Sequence, residues 1–168
     1  KTTDGGGDYK KTNPLGYVPA LELDDGTILT EGPAIVQYIA DKAPEKKLAP
    51  ANGTLDRYKL QSLLNFVSSE IHKGFSPLFN PASSEDIKSA ARDRLSSRFE
   101  WIAAQMAGKQ YLMGDTFTVA DGYLFTVMNW APRVKVDLSR WPVLSDYAAR
   151  IAARPAVQDA MRAEGLIK

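Results

Sequence analysis

The sequence predicts a small α/β portion followed by an all-α domain of about five helices. Residues 20–30 alternate apolar and polar side chains around Asp25-Gly26, a pattern typical of a β-hairpin. From Thr54 onward, apolar residues instead recur every three or four positions, as in an amphipathic helix. A segment with two prolines and a glycine separates these patterns. We therefore place the first domain at residues 1–46, the linker at 47–53 and the helical domain at 54–168.

The hairpin and the helix after it follow from local rules. Val18 precedes Pro19, and a residue before proline is pushed towards extended geometry. Residues 20–24 and 27–30 are the predicted strands, and Asp25-Gly26 supplies the turn. Gly32-Pro33 then opens a helix, because proline is tolerated at the first helical position.

Three polar features of this stretch are predicted to lie near one edge. The backbone of Val18 could pair with an extended peptide, and Pro19 would end that pairing because it has no N–H. Glu31 and Gly32 stand at a helix start, where free N–H groups favour an anion, while the Glu31 carboxylate could hold an ammonium. A small zwitterionic peptide would satisfy all of these groups. From spacing alone, an ordinary hairpin and helix start remains the alternative.

The helical domain is read in the same way. Helices are predicted at about residues 54–73, 86–106, 118–130, 141–151 and 154–165, with a break of aromatic exterior at 75–81. The helix after Thr118 is apolar all round and is therefore expected to be buried. Thr118 and Asp121 have the spacing of a capping box, with Asp in place of the usual Glu, and we assign them a structural role.

Composition excludes several classes of function. The 168 residues carry a net charge of +1 without a basic run, which argues against nucleic acid as a partner. No run of 18 apolar residues predicts a membrane span. With no cysteine and one histidine, the chain is not expected to hold a disulfide, a catalytic thiolate or a metal. Absence of cysteine also fits a cytoplasmic protein.

One set of residues runs through the whole first domain. It comprises Asn13-Pro14, Gly16, Val18 to Leu21, Asp25-Gly26, Leu29 to Gly32 and Ala34-Ile35. This set resembles the glutathione site of cytosolic glutathione S-transferases, most nearly the bacterial beta class, and the resemblance continues to the C-terminus. It implies a partial thioredoxin-like domain, hairpin plus helix, followed by an all-helical transferase domain. It also implies a cis Pro19, and glutathione bound by Val18, Pro19, Glu31 and Gly32. Gly32 departs from the commoner Ser, so one hydroxyl bond to the ligand would be lost.

The resemblance also implies that an N-terminal β-α-β portion is lacking. Lys1 matches a family lysine that binds the glycine carboxylate of glutathione. The residues nearest the sulfur in the beta class, a Cys with Tyr or Ser neighbours, have no counterpart here. We therefore expect this chain to lack the thiol-activating residues, to bind glutathione weakly and to show little activity, whereas the intact protein would be active.

His72 is the candidate catalytic residue. Being the only histidine, it could act as an acid or base, but a lone histidine on an amphipathic helix is more often only a partly buried residue. The beta class has His-Lys at this position, which implies that His72 lies near the thiol end of glutathione and Lys73 near a ligand carboxylate. By the same resemblance, Asn65 reaches glutathione in the partner subunit.

An apolar pocket for a second substrate is the last predicted feature. Its candidate residues are Phe75, Leu78, Phe79 and Trp130, although aromatic residues at helix ends are more often core. The resemblance favours the pocket wall for Phe75 and Trp130.

The function implied is glutathione conjugation to hydrophobic electrophiles by a cytoplasmic homodimer. It would serve detoxification or the breakdown of aromatic compounds, with glutathione as co-substrate and no metal. The alternatives are a non-catalytic binding module of the same fold or an inactive fragment, and, more weakly, a peroxidase or reductase. Joint retention of Glu31, Asn65, His72 and Lys73 favours the enzyme.

Overall fold

The computed structural model describes residues 2–3 and 5–168. Its hairpin pairs β1 (Ala20–Glu22) with β2 (Ile28–Thr30) in antiparallel register, Ala20 opposite Thr30. In the turn, the Thr27 N–H donates to the Asp25 carboxylate at 2.9 Å. Gly26 has a φ of 80°, a conformation that glycine adopts without steric cost. The predicted hairpin is confirmed.

Helix α1 (Gly32–Lys42) follows the hairpin directly and carries Pro33 in its first turn. Ile35 and Ala40 are its buried residues, and this face packs the helix against the hairpin and the helical domain. Short 3-10 turns at Tyr9–Lys11 and Pro44–Lys46 flank the domain.

Helix α2 (Leu55–Phe66) is capped by Thr54, whose hydroxyl accepts from the Arg57 N–H at 3.2 Å. The helix then continues as a π-helical stretch, Val67–His72, and a 3-10 turn, Lys73–Phe75. The short helix α3 (Ser76–Phe79) follows without interruption. The predicted break at residues 75–81 is therefore wrong over its first half, because a proline in the first turn of a helix does not stop it.

Four further helices complete the second domain: α4 (Glu85–Gln105), α5 (Val119–Met128), α6 (Pro142–Ala152) and α7 (Pro155–Ala163). A 3-10 turn, Ala131–Val134, follows α5. Helix α5 is buried as predicted and lies at the centre of the core. Its side chains pack among those of α2, α4 and α6, including Leu64, Leu95, Phe99, Leu124 and Leu144.

The two parts of the chain are joined by a buried cation. Arg57 is 2% exposed and pairs with the Asp41 carboxylate, while its other terminal nitrogen donates to the Pro50 carbonyl at 2.9 Å. The Val119 N–H also donates to the Leu48 carbonyl at 2.9 Å. These contacts hold the linker against α2 and α5. They fix the orientation of the hairpin domain relative to the helical domain.

Across the described part of the chain, no helix combines the length and apolar character needed to cross a membrane.

The predicted domain boundaries, with the linker at residues 47–53, stay a prediction.

Candidate active site

The first wall of the site is the edge of the hairpin domain. Val18 is 64% exposed and immediately precedes Pro19, and the bond between them is cis, as the resemblance implies. A Cβ placed on Gly32 would lie 3.9 Å from the Pro19 ring, so the start of α1 abuts this proline. Glu31 caps the helix start with a φ of 68°, which is uncommon for a residue other than glycine. Strained backbone of this kind clusters at functional sites.

The second wall comes from the helical domain. His72 Nδ1 lies 2.8 Å from the Tyr123 hydroxyl of α5. The imidazole also meets the ring of Trp130 edge to face, with ring centres 4.8 Å apart. His72 is thus half-buried between two aromatic side chains and held by a hydrogen bond.

Electrostatics link the two walls. Burial, and then the charge of Lys73, lower the pKa of His72, so its imidazole is neutral near neutral pH. Burial raises the pKa of the Tyr123 phenol, and the Glu31 charge raises it further, while a Ser68 hydroxyl contact opposes the rise. Glu31 of the first domain therefore acts electrostatically on the phenol that contacts His72.

Two other predicted glutathione ligands, Lys73 and Asn65, are exposed on the helical domain. Lys73 follows His72 and is exposed. Asn65 is also exposed, on α2. Each of Asn65 and His72 follows a buried residue by one position, so both border the same buried stripe. Lys1 lies outside the described residues.

Only part of the predicted apolar pocket offers an exposed face. Phe79 is 48% exposed, and its ring meets Trp130 at 5.8 Å between centres. Phe75 is fully buried between Trp130 and Phe99, and Leu78 is buried as well. The structure thus corrects the preference for Phe75 as a wall residue, because its ring is inserted into the core behind Trp130.

The structure joins Thr118 and Asp121 in a capping box. The Asp121 carboxylate accepts from the Thr118 N–H at 2.7 Å, the Leu112 N–H at 2.8 Å and the Tyr147 hydroxyl at 3.0 Å. Burial raises the pKa of Asp121 despite these donors. These contacts are with groups of the fold itself, in keeping with the structural role assigned to the pair.

A separate cavity of about 810 Å³ lies along the linker, bordered by α2 and the end of α4. Lys47, Lys59 and Trp101 are among its lining residues. This cavity does not include Pro19, Glu31 or His72, so it is separate from the candidate active site. Among the described residues, no group of three or more His, Asp or Glu side chains could hold a metal ion.

Tyr123 and Ser68 were missed by sequence reasoning. Tyr123 counted only as one apolar residue of a buried helix. A usable signal was present, since the hydroxyl of a buried tyrosine usually finds a hydrogen-bond partner.

Fold and site together define a two-domain protein in which a thioredoxin-like hairpin and helix pack against a helical bundle. Comparison with known families agrees. Residues 3–47 match the model of the glutathione S-transferase N-terminal domain, and residues 66–155 match that of the C-terminal domain. The chain therefore belongs to the glutathione S-transferase family.

Individual relatives agree with this membership. The chain is 44% identical to glutathione S-transferase GstA of Escherichia coli O157:H7 over 166 residues, which cover 99% of this chain and 83% of the relative. A sphingomonad glutathione S-transferase complexed with glutathione is 47% identical with a TM-score of 0.94, over 99% of this chain and 83% of that one. A bacterial beta class glutathione S-transferase from Sphingomonas chungbukensis is 46% identical with a TM-score of 0.95, with the same coverage. The predicted resemblance to the beta class is confirmed.

The comparisons also bear on two further expectations. The family models match both domains, and they do not bear out the expectation of a missing N-terminal portion. The relatives are named as transferases, which favours the enzyme over the non-catalytic alternative.

Proposed function

We propose that this protein is a glutathione transferase that joins the sulfur of glutathione to hydrophobic electrophiles. The observation that carries the proposal is the contact between α1 and α5, because it brings two groups of side chains towards one another. Pro19 and the start of α1 form one group, and His72 with Tyr123 and Trp130 forms the other. Burial and then the Glu31 charge raise the pKa of Tyr123, which links the two groups.

Glutathione fits the first side by its chemistry. It is a small peptide with two carboxylates and one ammonium. The exposed Val18 backbone offers strand-like pairing to its peptide groups, and the exposed Glu31 offers a carboxylate to its ammonium. The N–H groups at the start of α1 suit a ligand carboxylate, and the resemblance assigns another carboxylate to Lys73 and Lys1.

The second side suits the reaction. Only the thiolate of glutathione is a good nucleophile, and a nearby hydrogen-bond donor lowers its pKa. His72 is the proposed donor. The thiol proton passes to solvent, the sulfur lone pair attacks the electrophilic carbon, and the leaving group departs with its bonding electrons. Phe79 and Trp130 supply apolar surface for the electrophile, and holding both reactants together contributes to the rate.

We also propose a cytoplasmic homodimer. Tyr58 is 60% exposed on α2, and Trp101 on α4 is 43% exposed and packs against Phe66 with ring centres 4.4 Å apart. Asn65 lies on the same helix as Tyr58, so in a dimer formed through this surface its side-chain amide could contact glutathione bound to the partner subunit. Exposed aromatic surface of this kind is enriched at protein interfaces.

The test is steady-state conjugation of glutathione to 1-chloro-2,4-dinitrobenzene, followed by absorbance, with chloride as the leaving group. The sequence alone predicted little activity because no thiol-activating residue was assigned to this chain. With His72 proposed in that role, we expect saturable turnover that falls on changing His72→Ala. The control variant Asp159→Ala alters an exposed helix surface and should leave turnover unchanged. An uncatalysed rate with the unaltered protein would overturn the proposal.

A further inference from the structure

The imidazole of His72 is fixed by groups from another helix. The Tyr123 hydroxyl lies 2.8 Å from Nδ1, and the rings of Tyr123 and Trp130 meet the imidazole edge to face at 5.8 and 4.8 Å between centres. The phenol engages one nitrogen only. Nε2 is therefore the nitrogen available to a ligand in the cleft.

The direction of this hydrogen bond follows from the chemistry of the two groups. A phenol O–H is a stronger donor than a neutral imidazole N–H, and an imidazole nitrogen is a stronger acceptor than a phenol oxygen. Tyr123 is therefore expected to donate its hydroxyl proton to Nδ1 of His72.

Both partners are neutral near neutral pH. Burial and Lys73 lower the pKa of His72, while burial and Glu31 raise that of Tyr123. Lys73 and Glu31 are the charged groups that act on the pair. A neutral imidazole that accepts at Nδ1 carries its proton on Nε2.

We propose that Tyr123 is a positioning residue that holds His72 in the Nε2–H tautomer, so that the imidazole donates a hydrogen bond to the glutathione thiolate. In this arrangement His72 does not act as the base that removes the thiol proton, because the nitrogen facing the ligand is already protonated. The inference rests on the proposed function and adds the group that sets the tautomer.

The experiment combines nitrogen NMR with kinetics on this protein. Because the sequence has a single histidine, labelling histidine with ¹⁵N gives one pair of imidazole resonances. We expect the Nε2–H pattern in the unaltered protein. Tyr123→Phe keeps the ring and removes the hydroxyl, and should give a mixture of tautomers. Loss of one hydrogen bond also predicts a drop in kcat of about fivefold, with KM for glutathione changed by less than about twofold.

One control variant completes the test. Tyr111→Phe is the matched control, since Tyr111 lies on the loop before α5 and its ring meets Phe117 edge to face instead of His72. It should alter neither the tautomer nor kcat. If Tyr123→Phe does not fold, the tautomer of His72 in the unaltered protein still decides the inference.

The outcomes separate the two proposals. An Nδ1–H pattern in the unaltered protein would overturn the inference. So would a Tyr123→Phe enzyme with unchanged tautomer and kcat. If the unaltered protein fails to conjugate glutathione, the proposed function fails, while the NMR spectrum still decides which nitrogen carries the proton.

Discussion

Removing the carboxylate of Asp121 is predicted to destabilise the helical domain strongly. The side chain is 0% exposed and accepts from the Leu112 and Thr118 N–H groups and from the Thr118 and Tyr147 hydroxyls. In Asp121→Ala these four donors lose their acceptor inside the core. An orphaned buried donor costs about 1–3 kcal/mol.

The net magnitude is smaller than the sum of these costs. Burial of the carboxylate is itself unfavourable, in keeping with the raised pKa of Asp121. Removing the carboxylate therefore offsets part of the lost unfolding free energy. We therefore expect a fall of about 3–5 kcal/mol in the free energy of unfolding, within the range seen when a buried polar network is broken. For a chain of this size, that fall lowers Tm by about 10 °C.

Urea denaturation followed by circular dichroism measures this fall. Asp159→Ala is the control, because Asp159 is exposed and pairs only with an exposed arginine. It should change stability by less than about 0.5 kcal/mol. A loss below about 1 kcal/mol for Asp121→Ala would refute the reasoning, because it would mean that the four donors find other partners.

Three further predictions follow from the structure. Arg57→Met should cost about 2–4 kcal/mol of unfolding free energy because it breaks the buried contact between α2 and the linker. Asp41→Asn should cost only about 1 kcal/mol, because the Asp41 carboxylate is 40% exposed and water can take over its hydrogen bonds. Equal losses for the two variants in urea denaturation would contradict this prediction. Burial lowers the pKa of His72 below 6.5. As the pH falls through 6.5, His72 therefore binds a proton in the unfolded chain before it does so in the folded chain. The difference in unfolding free energy between the unaltered protein and His72→Gln should therefore fall as the pH drops from about 6.5 to the folded pKa of His72, and should be constant above and below that range. A difference that does not depend on pH would contradict a neutral, half-buried imidazole. Glu31→Gln should weaken glutathione binding about tenfold, since it removes a charge-assisted hydrogen bond to the ligand ammonium, and an unchanged Kd by calorimetry would exclude Glu31 from the site.

The hairpin and most helices could be predicted from local sequence. Period-two alternation and Asp25-Gly26 define two short strands and their turn, and proline or a capping residue marks the starts of α1 and α5. The π-helical stretch at Val67–His72 could not be predicted. Its buried positions recur at three and four, as they would in an α-helix, so spacing does not report the change in backbone hydrogen bonds.

Contacts between distant segments were the main gap. Tyr123 and His72 are 51 residues apart on different helices, and no local pattern joins them. Arg57 looks like a surface charge in a helical pattern, yet it is 2% exposed because its partner Asp41 comes from the other side of the linker. Family resemblance supplied His72 as a candidate but not the phenol that contacts it.

The central claim, that glutathione binds beside Pro19 and Glu31 and opposite His72, is tested most directly by titrating glutathione into the ¹⁵N-histidine-labelled protein. We predict that the imidazole signals of His72 move saturably, and that the same titration of Glu31→Gln needs about tenfold more glutathione. Histidine signals that stay fixed while calorimetry records binding would place glutathione elsewhere on the protein, and the absence of binding by both methods would contradict the claim altogether.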